Sequence, residues 1–350
     1  MLIIGCDFHT RYQQIAMMDD TTGELIERRL DHENGEAHHF YRSLPKPVRV
    51  GVEATGPLAW FERLLAELGH ELWIGNSAKI RASEVRKQKT DERDARLILE
   101  LLLTNRFPRI WAPTPAERDL RQLLWHRHKL VRMRTMIRNQ LHFLAMSQRL
   151  CRRHRLFTKR GRRELEALSL PPWTSRRREE LLQLLDRLEP SIAQLEQAVV
   201  AEAKARDDAA RLMTHPGIGP VNALAFVLTI GPVARFRRSK KLVSYLGFNP
   251  SEHTSGGRRR LGAISKQGNT MLRWLLIEAA QSAVRFDPEL RQDYLRLKSR
   301  RGHAVAKVAI ARKLAVRMYW MLRSGADYAR LVRMQGSPRG TLVNASSSPA

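Results

Sequence analysis

Four carboxylates could act together on a phosphate: Asp7, Glu53, Asp91 and Asp94. Asp7 ends the apolar run Leu-Ile-Ile-Gly-Cys-Asp, and Glu53 ends Val-Arg-Val-Gly-Val-Glu. Asp91 and Asp94 open a helical stretch three residues apart, so they share one face. An acid at the end of a buried strand is unfavourable unless positive charge meets it. Gathered at one sheet edge, such acids repel each other unless a divalent cation holds them. Phosphoryl transfer on nucleic acid uses this arrangement, with two metal ions about 3.5–4 Å apart clamping the attacking and leaving oxygens. Hard oxygen donors with few histidines nearby select Mg2+ or Mn2+ over zinc. Singly, each acid has an ordinary reading as a turn residue, a strand end or a helix N-terminal acid favoured by the dipole. Only the combination points to a metal site.

The elements that must position these acids are legible in the pattern. Apolar, β-branched runs predict strands near residues 2–8, 13–18, 24–30, 48–54 and 71–74. Helices are expected over 35–43, 57–68 and 91–104, the last with Thr90 as its N-cap. Three consecutive strands followed by mixed strand and helix predict an RNase H-like α/β domain over 1–108 rather than a doubly wound parallel one. Pro108, Pro113 and Pro115 mark a linker.

The formal charge of +27 points to a polyanionic partner, nucleic acid before an anionic membrane surface. No apolar run approaches the ~20 residues of a membrane span, and the start carries no signal-peptide pattern. Cys6 and Cys151 offer neither a zinc spacing nor a disulfide framework. A cytoplasmic protein is expected. Residues 116–205 show no strand signal and form a basic, helical, coiled-coil-like region. Residues 121–163 hold 14 Lys and Arg and no Asp or Glu, the pattern of a phosphate track. Arg132, Arg134, Arg138, Arg152 and Arg153 are its leading candidates. Further on, Leu181, Leu185, Leu188, Ile192, Leu195 and Val199 recur at threes and fours. This stripe is expected to pack against another copy of the chain, with Pro190 as a kink or break.

A third region, 206–328, is expected to be mostly helical. His-Pro-Gly-Ile-Gly-Pro, residues 215–220, resembles a helix-hairpin-helix turn. Gly217 and Gly219 would let the backbone approach a phosphate there. Lys240, Lys241, Arg258, Arg259, Arg260 and Lys266 add cations nearby. The tail 337–350 reads as disordered.

Gly-Cys-Asp-Phe-His (5–9), Val-Glu-Ala-Thr-Gly (52–56) and Lys-Thr-Asp-Glu-Arg-Asp-Ala (89–95) resemble the three acidic motifs of the DEDD transposases of the IS-one-ten insertion-sequence family. Pro-Gly-Ile-Gly (216–219), Tyr-Leu-Gly-Phe (245–248), Ser-Gly-Gly (255–257) and Ile-Ser-Lys-Gln-Gly (264–268) resemble that family's C-terminal domain. The resemblance implies a RuvC-like domain joined through a coiled coil to a helical transposase domain. It also implies a site-specific recombinase that cuts and rejoins donor and target DNA under the guidance of a structured, element-encoded bridge RNA. Asp7, Glu53, Asp91 and Asp94 would be its metal-binding catalytic acids, with Mg2+ or Mn2+, and Ser255 its nucleophile. A homo-oligomer follows, a dimer that pairs into a tetramer during synapsis, associated with the nucleoid.

From the residues alone, Ser255 also reads as a Ser-Gly-Gly turn, and Ser251 and Ser265 compete with it. Two other functions remain in view. One is a RuvC-like junction resolvase that hydrolyses DNA with the acids alone. The other is a non-catalytic nucleic-acid-binding protein whose acids are structural.

Overall fold

The computed structural model describes residues 1–45, 47–54, 56–83, 90–151, 155–253 and 260–336. Among the candidates named above, Arg152, Arg153, Ser255, Arg258, Arg259 and the tail 337–350 lie outside the described residues. The chain divides into two compact units, Met1–Pro115 and the remainder from Ala116. The regions 116–205 and 206–328 therefore fall in one unit.

The first unit runs β1 (Leu2–Phe8), β2 (Tyr12–Asp19), β3 (Leu25–Asp31), α1 (Glu36–Ser43), β4 (Val48–Glu53), α2 (Ala59–Glu67), β5 (Glu71–Gly75), α3 (Ser77–Ala82) and α4 (Asp91–Leu103). The five strands form one sheet in the order β3-β2-β1-β4-β5. β2 is antiparallel to β1 and β3, while β4 is parallel to β1 and β5. This order is compatible with an RNase H-like domain. β1 is central and buried on both faces, which is why it reads as a continuous apolar run. Ile4, Cys6 and Phe8 pack toward α1 and α2 with Tyr41, Phe61 and Leu65. The opposite face, through Ile3 and Ala16, packs on α4 with Ala95, Ile98, Leu99 and Leu102.

The second unit comprises α5 (Pro115–Ser147), α6 (Lys159–Glu166), α7 (Pro172–Ala205), α8 (Asp207–Met213), α9 (Pro220–Ile230), α10 (Ser239–Tyr245), the short strands β6 (Pro250–Glu252) and β7 (Leu261–Ile264), α11 (Thr270–Phe286), α12 (Pro288–Ser324) and α13 (Tyr328–Gly336). Its core is formed mainly by α9, α10, α11 and α12. α12 turns at Gly302, whose φ of 80° is open to glycine. β6 and β7 form an antiparallel hairpin that the sequence pattern did not reveal.

One expectation for this unit is corrected and two are refined. α7 continues through Pro190 as one helix, so the proline does not break it. The proline removes the N–H that would reach the Asp186 carbonyl, and the surrounding turns carry the helix across the gap. The stripe along α7 is also not left open for a second copy. Leu181 and Leu185 are buried with Ile137, Leu141 and Leu144 of α5 and Leu165 of α6, and Val199 joins the main core. The contacts Arg127–Glu196, Arg138–Glu189 and Arg177–Gln140 show that α5 and α7 run antiparallel. The stripe is thus satisfied within the chain. Gly217, with φ 90°, needs no ligand to explain it, because a Cβ there would stand 2.5 Å from the Ala283 backbone nitrogen of α11. Gly219 does face open space ahead of α9, whose first turn has no side-chain cap.

Candidate active site

The acids meet because two glycines let α4 lie almost on the sheet. Gly5 pairs with Gly51 across the parallel β1–β4 ladder. A Cβ on Gly5 would fall 2.2 Å from the Ala95 carbonyl oxygen, and one on Gly51 would fall 2.6 Å from Leu102 Cδ1. Both glycines therefore face α4. Side chains alternate along a strand, so Asp7 and Glu53, two residues on, face the same side. Asp91, Asp94 and Ala95 share one face of α4, which places the helix's first turn over Asp7. Thr90 caps that turn, its hydroxyl accepting from the Arg93 N–H.

Asp7 is buried. His9 Nε2 lies 3.0 Å from Asp7 Oδ2 and 3.5 Å from Asp91 Oδ2. The Tyr12 hydroxyl donates to Asp91 Oδ2 at 2.7 Å. Ligand atoms of Asp7, His9 and Asp91 all lie within 4.8 Å of one another. Burial raises the Asp7 carboxyl above its ordinary range, and the charges of Asp94 and Asp91 raise it further, while His9 opposes them. A raised pKa means that the folded state holds this proton more tightly than the unfolded chain. The Asp7 contribution then favours folding at low pH and is lost as pH rises through the folded value. At neutral pH the ionised cluster is a local cost that a bound cation would offset. The donor set, carboxylate oxygens and one imidazole nitrogen, fits a divalent metal.

Asp94 is close enough to act on Asp7 electrostatically, yet it is not one of the three tightly grouped ligands. Glu53 ends the adjacent strand, and its Oε1 lies 3.5 Å from Arg81 Nη2. The structure therefore brings Asp7 and Asp91 into contact range, with Asp94 and Glu53 bordering them. His9 was not foreseen. The signal was in the motif itself, since a residue two past Asp7 keeps to the same side of an extended chain.

In the second unit, Ser255 belongs to the connection between β6 and β7, whose described ends are joined by the His253 N–H donating to the Arg260 carbonyl. Arg260, Lys240, Lys241 and Lys266 are exposed. The basic run of α5 is less uniform than its composition suggests. Arg138 is 2.6 Å and Arg134 3.5 Å from Glu189, and the Arg138 guanidinium also stacks on Phe157. Arg121 donates to the Leu228 carbonyl. By contrast, Lys129, Arg132 and Arg177 line a groove of about 1200 Å3 together with Trp125, Phe143 and Trp274, and among the described residues no acid lines it. Among the described residues no helix is long and apolar enough to cross a membrane.

Comparison with known proteins adds independent observations. Residues 4–146 match a family described as transposase, of the DEDD type. Residues 209–295 match the family described as transposase IS116/IS110/IS902. The chain is 31% identical over 335 residues to a probable family 20 transposase of Pseudomonas aeruginosa, covering 92% of this chain and 96% of that protein. It is 28% identical to the transposase for insertion sequence element IS1111A of Coxiella burnetii, over 93% of this chain and 91% of that one. It is 27% identical to the transposase for IS1328 of Yersinia enterocolitica, over 91% and 96%.

Proposed function

The chain belongs to the IS116/IS110/IS902 family of DNA transposases, and we propose that it is a site-specific recombinase that joins donor to target DNA under the guidance of an element-encoded bridge RNA. The observation that supports this most is the meeting of Asp7 and Asp91 beneath the first turn of α4. In this reading Asp7, Glu53, Asp91 and Asp94 hold Mg2+ or Mn2+, which when bound polarises the scissile phosphate. Tyr12 fixes the Asp91 carboxylate, and α4 fixes its own two acids against the sheet.

Ser255 supplies the nucleophile. Its Oγ bonds to phosphorus, the bond from phosphorus to one DNA oxygen breaks, and the hydroxyl proton passes to the departing oxygen. The reverse attack by a DNA hydroxyl restores the serine, so rejoining needs no nucleotide cofactor. Cutting and exchanging several strands calls for a dimer that pairs into a tetramer. With the α7 stripe covered, assembly would use other exposed apolar side chains, Trp173 and Phe286 among them. The test is Ser255→Ala with guide RNA and both DNAs. Loss of the denaturation-resistant protein–DNA adduct is expected. Persistence of the adduct would move the role to Ser251 or Ser265. Hydrolysed, unjoined products from the wild-type protein would indicate a junction resolvase instead.

Phosphate contact is assigned to the groove cations more than to the ion-paired ones. Arg132→Ala and Lys129→Ala are each expected to reduce the slope of log affinity against log salt by about 1. Arg138→Ala, which breaks the Glu189 pair, is expected to change that slope less and thermal stability more. Equal slopes in all three variants, measured by titration from low to high salt, would contradict the assignment.

A further inference from the structure

We infer that His9 is a direct nitrogen ligand of the divalent ion at Asp7 and Asp91, giving a mixed nitrogen–oxygen site that favours Mn2+ over Mg2+. The inference rests on the metal-binding role proposed for those acids and adds to it a ligand outside the four-acid set. Three features support it. The first is position: His9 Nε2 lies between the two carboxylates, 3.0 Å from one and 3.5 Å from the other. An ion bound by both acids would lie within reach of that nitrogen.

The second is orientation. The imidazole lies nearly parallel to the Tyr12 ring, with centroids 4.7 Å apart and an interplanar angle of 25°. The Arg29 guanidinium covers Tyr12 at 3.8 Å, and the backbone N–H of His9 donates to the Tyr12 carbonyl at 2.9 Å, fixing the two residues relative to each other. The ring is thus stacked in place with Nε2 turned toward the acids. The third is coupling, since Tyr12 also holds Asp91 through its hydroxyl. One residue therefore orients both the imidazole and the carboxylate, as groups around metal ligands commonly do.

A nitrogen donor changes which ion is preferred. Mg2+ takes oxygen ligands and retains its waters, whereas imidazole binds first-row transition ions more readily. His9 is partly exposed, so its removal leaves the core intact.

The experiment loads full-length protein with Mn2+ alone and records pulsed electron paramagnetic resonance, which detects 14N bound to the ion. Binding of Mn2+ and Mg2+ is measured in parallel, and folding is checked by circular dichroism. Expected are a 14N coupling in the wild type, its loss in His9→Ala and in His9→Gln, and a roughly tenfold or greater weakening of Mn2+ binding against a smaller change for Mg2+. Asp7→Ala serves as the control that the ion sits at this site. Mn2+ bound without 14N coupling, or a coupling that survives in His9→Ala, would overturn the inference and leave the acidic site standing. Failure of the wild type to bind Mn2+ in an Asp7-dependent way would overturn the underlying metal-site reading as well.

Discussion

Asp91→Ala abolishes strand cleavage while nucleic-acid binding and folding persist; this is the expected result of removing a carboxylate that touches His9 and Tyr12 at the candidate site. A metal clamp supplies several kcal/mol of charge stabilisation to the transition state. Each 1.36 kcal/mol is about tenfold in rate, so a fall of roughly 10³-fold or more follows. Asp91→Asn should fall nearly as far. It keeps the shape and an acceptor for the Tyr12 hydroxyl and lacks only the charge. Stability should hold in both variants, because the Asp91 charge is one of those that raise the Asp7 carboxyl, so its loss relieves repulsion. The measurement pairs a cleavage assay with a binding titration and a thermal melt. Cleavage within about tenfold of wild type would remove Asp91 from the site.

The second large effect is expected at an uncharged residue, two positions before Asp7 on β1. Gly5→Ala places a Cβ against the Ala95 carbonyl of α4, at 2.2 Å if nothing moves. That neighbour is backbone, so the helix itself must shift. Overpacking of this kind costs about 1–3 kcal/mol. A displacement of about 1 Å at a catalytic constellation can cost roughly 10²-fold in rate. Gly5→Ala is therefore expected to reduce both the melting temperature and cleavage, and Gly5→Val more so. Gly51→Ala should be milder, since its nearest neighbour is the Leu102 side chain, which can rotate. Equal effects at both positions would show that α4 is not seated by Gly5.

These two sites differ in how readable they were. Asp91 stood out because an N-cap and two acids one turn apart carry a local signal. The strands did too, since β1 and β4 are buried apolar runs. Gly5 and Gly51 carried none, because their role depends on which helix covers the sheet. The same holds for Arg134 and Arg138, since nothing in the basic run signalled that Glu189 of antiparallel α7 would pair with them. Gly217 read as a phosphate turn, with no sign that α11 packs beside it. Local chemistry was visible in one segment at a time. Apart from the gathering of the acids, packing between segments far apart in the chain was not. His9 is the exception, since it lay two residues from Asp7 and needed only the alternation of an extended chain.

The order of elements has a genetic consequence. All five strands are encoded before α4 begins at Asp91. A copy of the gene interrupted between β5 and α4 would specify the whole sheet, yet neither of the helix's acids. Its product would retain Asp7 and Glu53 with no Asp91 or Asp94 beside them, so on the role proposed for these acids it would not cut. It would also leave Ile3 and Ala16 without the Ala95, Ile98 and Leu99 that cover them, and bare apolar sheet surface favours aggregation. On that proposed role, premature stops and frameshifts ahead of Asp91 would yield inert products. Decaying copies of the element would lose their activity without leaving behind a fragment that nicks the host's DNA.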